Sequence, residues 1–182
     1  MKIVNITKTI EYFASLNKMF FFIIKIYYQK KDEKEIDLAN ISSNDHVLCV
    51  GGGICPFTAI IIHYLTKSKV SVMDNDVNCS KKCHELIIKL GLENFITIIN
   101  AEANSFSYEG YSVVHLALQL DNQKSIFAKV IQSADANTKI LIRSAKPQLR
   151  KYYSSLEFDN FKHKSKQSFF TNTKNTYLHI KN

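Results

Sequence analysis

The sequence predicts an α/β protein: a doubly wound, mostly parallel seven-stranded sheet with a C-terminal antiparallel hairpin and an N-terminal helix. Three observations carry this. Short apolar, β-branched runs alternate with segments of helical periodicity from residue 46 to residue 145, the order that gives parallel strands and crossover helices. Three of the five glycines stand together at Gly51, Gly52 and Gly53, between the first such run and its helix. The last two runs have no helix between them, so they close the sheet as an antiparallel pair.

Along the chain, "MFFFIIKIYY" (19–28) is the most apolar stretch, and Lys25 interrupts it. Ile10, Phe13, Leu16, Phe20, Ile23 or Ile24 and Tyr27 recur at three- and four-residue steps, which reads as a long amphipathic helix packed on the domain. "HVLCV" (46–50) is a strand, and "PFTAIIIHYLT" (56–66) is a helix with Pro56 in its first turn, where a missing N–H does no harm. "KVSVMD" (69–74) is a strand, and the helix "NCSKKCHELIIKLG" (78–91) comes next, ended by Gly91. "FITIIN" (95–100) and "YSVVHLAL" (111–118) are strands, "QKSIFAKVIQSA" (123–134) a helix and "TKILIRSA" (138–145) a strand. "PQLRKYYSSL" (147–156) is a short helix, and "QSFFTN" (167–172) with "NTYLHIK" (175–181) forms the closing hairpin.

Composition bounds the function. A chain of 182 residues is read as one domain, with residues 1–40 a helical extension and 41–182 the core. At that size a domain buries roughly 70% of its unfolded surface. Hydrophobic residues at 46% and charged ones at 22% exclude a disordered chain. The net charge of +8 permits an acidic partner such as RNA. The lysines of "QKKDEKE" (29–35) and "FKHKSKQ" (161–167) lack aromatic interleaving, however, so both read as solvated surface, and a nucleic-acid partner is not favoured. Cys49, Cys55, Cys79 and Cys83 form no metal-binding spacing and suit the reduced thiols of a cytoplasmic protein. A membrane span needs about 20 apolar residues, and the chain offers no such run and no signal peptide.

The glycines fall where open α/β sheets bind ligands, at the carboxyl end of the first parallel strand. Gly51 and Gly53 give the first half of G-x-G-x-x-G, with Pro56 in the last position. Asp74 ends the second strand, 21 residues after Gly53, and can accept two hydrogen bonds from ribose hydroxyls. Glu102 comes after the third strand in "NAEA", facing the edge of a base. Three successive strand tips thus offer glycines, Asp74 and Glu102 to the tail, ribose and base of a nucleotide-like ligand.

This arrangement resembles the class I S-adenosylmethionine-dependent methyltransferases, from about residue 41 onward. Their closing hairpin, with its last strand inserted antiparallel, is similar to residues 166–181. The wording is most similar to nicotianamine synthases and their prokaryotic relatives: "VGGGICPFTA", with Gly51, Gly53, Pro56 and Thr58; "YSVVHLAL"; and "LIRSAKPQLRKYY", with Arg143, Ser144, Ala145 and Tyr153. The resemblance implies a Rossmann-like fold and S-adenosylmethionine as cofactor, with S-adenosylhomocysteine as product. It implies that Gly51, Gly52, Gly53, Asp74, Asn75, Ala101 and Glu102 bind that cofactor. The sequence departs from that family in one expectation: the separate helical domain that precedes the synthases' nucleotide fold and helps enclose their reaction chamber is read as absent here.

The remaining candidates concern the acceptor. Gln119, in "ALQLDN" (117–122), touches cofactor or substrate, or fills a loop; that tip carries no [DN]-P-P-[YF] run for a flipped base. Arg143 clamps a substrate carboxylate or pairs with Asp121 or another acid. Tyr153 is a further substrate candidate, and Tyr27 and Tyr28 either lid the pocket or pack in the core. His115 reads as a hydrogen-bonded core histidine before a base. The leading expectation is methyl transfer to a small molecule. Aminocarboxypropyl transfer and a non-catalytic S-adenosylmethionine-binding module are the alternatives, and RNA methylation ranks behind them.

Overall fold

A computed structural model describes residues 18–153, 156, 161–167 and 171–182, with only the backbone described for 18–28. Helix α1 (Lys18–Ala39) precedes β1 (His46–Val50), α2 (Phe57–Thr66), β2 (Lys69–Asp74), α3 (Val77–Lys89) and β3 (Ile96–Asn100). Then come β4 (Val113–Leu116), α4 (Gln123–Ser133), β5 (Lys139–Ala145), a 3₁₀ turn (Pro147–Tyr152), β6 (His163–Lys166) and β7 (Thr173–Ile180). The seven strands form one sheet in the order β3-β2-β1-β4-β5-β7-β6. Strands β1 to β5 are parallel; β7 lies antiparallel between β5 and β6, as the sequence leads one to expect.

Both faces of the inner parallel strands β1, β2, β4 and β5 are covered, which is why they read as mostly apolar runs, whereas β3 is an edge strand with Thr97 exposed. Val47 and Cys49 of β1 join Ile60, Val72, Ile87 and Leu141 in one core layer. Leu48 and Val50 point the other way, into a layer with Tyr108, Val114, Ile126, Val130, Ile140 and Ile142. The alternation of β5 places Arg143 on the same face as Leu141, beneath α1.

Several boundaries differ from the sequence reading. Helix α2 begins at Phe57, with Pro56 in the capping position. Helix α3 begins at Val77, because the Asp76 carboxylate accepts from the N–H groups of Asn78 and Cys79. Strand β4 is shorter than 111–118, and the expected helix over 147–156 is the 3₁₀ turn. The first hairpin strand lies at His163–Lys166 rather than 167–172. It is an exposed edge strand whose lysines discourage further pairing, so it lacks the apolar alternation that marks an inner strand. The side chains of the 10–28 stripe, Tyr27 and Tyr28 included, lie outside the described residues.

The largest departure is in "QKKDEKE". Lys34 is exposed, yet Lys31, Asp32 and Glu35 are buried, the two acids at 0% exposure. The 3–4 residue stripe simply continues through them and turns ionic. Arg143 is their partner. Its Nε donates to Glu35 Oε1 at 2.8 Å, and its Nη2 to Glu35 Oε2 and Asp32 Oδ1, both at 2.6 Å. Nη2 also lies 3.0 Å from Thr58 Oγ1 of α2. Thr176 of β7, registered beside Arg143, donates to Glu35 Oε1 at 2.5 Å. His115 Nε2 of β4 meets Glu35 Oε2 at 3.1 Å, and Lys31 Nζ lies 3.8 Å from Asp32. One charged network therefore fastens α1 to α2, β4, β5 and β7. Breaking such a pair by deleting one partner costs about 3–5 kcal/mol, because a charge is left buried without its mate.

Burial raises the Asp32 pKa to about 6, against the opposing pull of Lys31 and Arg143. A carboxyl with a raised folded pKa contributes stability below its unfolded pKa and loses it as pH climbs through the folded one. Asp32→Asn removes that titration. The stability of the Asp32→Asn variant minus that of the wild type should therefore rise by about 3 kcal/mol between acid and neutral pH. Urea unfolding of both proteins on either side of this window measures it; a constant difference contradicts the assignment.

Candidate functional site

A cavity of about 950 Å³ opens at the carboxyl ends of β1, β2 and β4. It sits where the sheet order changes direction: β1 lies between β2 on one side and β4 on the other. Its volume is near the upper end of the range of about 300–1,000 Å³ typical of small-molecule sites.

The glycine bend forms one wall. Gly51 and Gly53 have φ of +83° and +62°, a left-handed backbone that other residues rarely adopt. Gly52 is there for space: a Cβ on it would stand 2.0 Å from Val72 Cγ1. The bend is held to the β2 tip by its own N–H groups. Those of Gly51 and Gly52 donate to the Met73 carbonyl at 2.8 and 3.1 Å, and that of Gly53 donates to Asp74 Oδ2 at 2.8 Å.

Asp74 is therefore a hub. Its Oδ1 accepts from the N–H of Asp76 at 3.0 Å, and its carbonyl accepts from Ala101 N at 3.2 Å and Asn100 Nδ2 at 2.9 Å. A carboxylate offers about four acceptor sites, so two remain for hydroxyl donors. Asn75 Nδ2 donates to Glu102 Oε1 at 3.0 Å, joining the tips of β2 and β3. All seven residues anticipated for the cofactor line the cavity: Gly51, Gly52, Gly53, Asp74, Asn75, Ala101 and Glu102.

The acceptor candidates separate. Gln119 is exposed at the cavity rim, and Arg143 lines the inner end. The sequence reading that pairs Arg143 with an acid holds, but the acids are Asp32 and Glu35 and not Asp121. Tyr153 is not among the cavity-lining residues; it packs against Leu118, Leu149 and Ala145, where burial pushes its hydroxyl pKa up. The inner end also holds Lys31, which sequence reasoning reads as solvated surface, His115, which it reads as core, and Cys49 and Thr58, to which it gives no site role. Burial and the Arg143 charge lower the Lys31 pKa to about 8. Burial lifts the Cys49 thiol to about 12, which keeps it protonated. The missed signal is the set of polar residues at inward positions on neighbouring strands, His115, Arg143 and Thr176, opposite acids on one helix face.

Gly52→Ala should destabilise the protein by about 1–3 kcal/mol, the usual scale for overpacking a core. Val72→Ala makes the missing room. In a double-mutant cycle monitored by urea unfolding, the pair should lose less stability than the sum of the single changes; additive losses would show that the bend does not press on Val72.

No protein-family model matches the sequence, and no curated protein matches it. Solved structures do share its fold. The nicotianamine synthase MtNAS in complex with MTA and tNA superposes with a TM-score of 0.85 at 17% identity, covering 98% of this chain and 72% of that one. A point mutant of the same synthase, in complex with S-adenosylmethionine, gives 0.83 at 14%, covering 98% and 75%. An RNA methyltransferase from Salinibacter ruber, in complex with S-adenosyl-L-homocysteine, gives 0.66 at 12%, covering 83% and 90%. The chain thus has the Rossmann-like fold of S-adenosylmethionine-dependent transferases, and its likeness to the synthase includes α1, since 98% coverage cannot be reached without that helix.

Proposed function

We propose that this protein is an S-adenosylmethionine-dependent transferase acting on a small molecule, with methyl as the transferred group. The observation that carries the reading is the order of groups along three strand tips of one open cavity: the glycine bend, the Asp74 hub and the Asn75–Glu102 bridge. In this reading Gly51, Gly52 and Gly53 admit the amino-acid tail, which a Cβ would obstruct. Asp74 accepts the ribose hydroxyls with its two remaining sites, and Ala101, Asn75 and Glu102 border the base. Bound there, S-adenosylmethionine supplies a sulfonium whose carbons are activated toward in-line displacement. The residues of the chain align the two partners and exclude water, the two largest tasks in such a transfer. A small acceptor suits the closed inner end.

Aminocarboxypropyl transfer is the second reading, favoured by the extension of the synthase likeness over α1. Methyl transfer ranks first because the solved structures that share the fold include methyltransferases with different acceptors. The by-product separates them: S-adenosylhomocysteine for methyl, methylthioadenosine for aminocarboxypropyl. Incubation with S-adenosylmethionine and a metabolite extract, then mass spectrometry of the nucleosides, reads the answer directly.

Binding is tested first, by calorimetry with S-adenosylhomocysteine. Asp74→Ala should weaken it by about 1.5–3 kcal/mol, the scale for losing hydrogen bonds to a charged group. Tight NADH binding with no affinity for either adenosyl compound would overturn the proposal.

A further inference from the structure

Resting on the transferase reading, we infer that His115 is the proton acceptor of this site, and that the acceptor molecule is an amine or hydroxyl that must shed a proton as it reacts. His115 lines the inner end of the cavity, between Cys49 of β1 and Leu141 of β5 in the sheet register. Its two ring nitrogens have different surroundings. Nε2 lies 3.1 Å from Glu35 Oε2. Nδ1 has no hydrogen-bond partner among the described residues.

The tautomer is set by Glu35. Arg143 holds that carboxyl ionised with two charge-assisted contacts, and its pKa lies well below the ordinary value. An ionised carboxylate only accepts, so Nε2 must carry the hydrogen, and Nδ1 is left with a bare lone pair. The ring is kept neutral at rest. Burial, Arg143 and Lys31 lower its pKa, against the opposing pull of Glu35. The groups around it are Lys31, Asp32 and Glu35 from α1, Cys49 from β1, Thr58 from α2, Arg143 from β5 and Thr176 from β7. Cys49 holds its proton, Arg143 is a cation, and Lys31, with its pKa lowered to about 8, stays mostly protonated at pH 7.

The chemistry balances with no further reagent. The acceptor's nitrogen or oxygen bonds to the transferred carbon, and the C–S bond breaks with its electron pair left on sulfur. The acceptor's proton passes to Nδ1, and the resulting imidazolium is stabilised through Nε2–H by Glu35. Glu35 is thus a positioning residue, and Arg143 keeps it charged. A thioether or phosphate acceptor has no proton to lose and gains nothing from this arrangement.

Two measurements test it. Nitrogen-15 NMR of the wild type with S-adenosylhomocysteine should show His115 as the Nε2–H tautomer at neutral pH, protonating only below the ordinary 6.5. An Nδ1–H tautomer, or a ring already charged at pH 7, overturns the inference. His115→Gln can still reach Glu35 but cannot take the proton. It should keep S-adenosylhomocysteine affinity within about threefold. Its nucleoside release from S-adenosylmethionine and metabolite extract should fall about 100-fold or more, with loss of the acid limb of the pH profile. A variant that retains wild-type rate and its acid limb overturns the base alone. A wild type that binds no S-adenosylhomocysteine overturns the transferase reading and this inference together.

Discussion

The pairing of Arg143 with Glu35 and Asp32 is the constraint on which the rest of the structure depends. A guanidinium at an inward position of β5 cannot remain there without anions, and neither β4 nor β7, the strands beside it, carries one. Helix α1 supplies both. Its docking closes the inner end of the cavity, sets Glu35 against His115 and brings Lys31 into the wall. A hydrophobic seam of similar volume would hold the helix as well or better. What the ionic version adds is direction: planar, bidentate contacts fix α1 relative to β5 along its axis as well as across it.

The two ends of the cavity use opposite strategies. At the strand tips, backbone groups make the contacts, and side chains are short or missing so that a ligand can approach. At the inner end, charged side chains of α1 and β5 and polar ones of α2, β4 and β7 converge and leave little freedom. The outer end is backbone-lined and open, and the inner end is a fixed electrostatic field. Asp74 belongs to both the fold and the outer site, because the carboxylate that shapes the glycine bend also faces the opening.

Much of this is legible in the sequence for local reasons. Strands β1, β2, β4 and β5 announce themselves because burial on both faces makes each a mostly apolar run, and β3 does so by its isoleucines. The glycine bend and Asp74 are readable because their spacing along the chain mirrors their adjacency in space. What stays hidden depends on distant partners. The charges of 29–35 look solvated until Arg143 is brought beneath them, 108 residues away along the chain. Strand β6 looks like a basic loop because an edge strand has no face to bury. Tyr153, placed in the site by wording alone, stands behind the wall because the chain after β5 winds into a 3₁₀ turn.

The distances along the chain have a kinetic meaning. The contacts of Glu35 with Arg143 and with Thr176 span 108 and 141 residues. Contacts of such high order form late, after the parallel strands have assembled from nearer neighbours. The contacts of α1 with β5 and β7 are then expected to form late in folding and to be lost early in unfolding, while its nearer contact with α2 spans 26 residues. Amide hydrogens of α1 would exchange through that local opening, ahead of those in β1 and β4. Such an opening would admit water to the inner end while the glycine bend, tied to β2 by its own N–H groups, stays in place, so the two ends of the cavity would differ in durability.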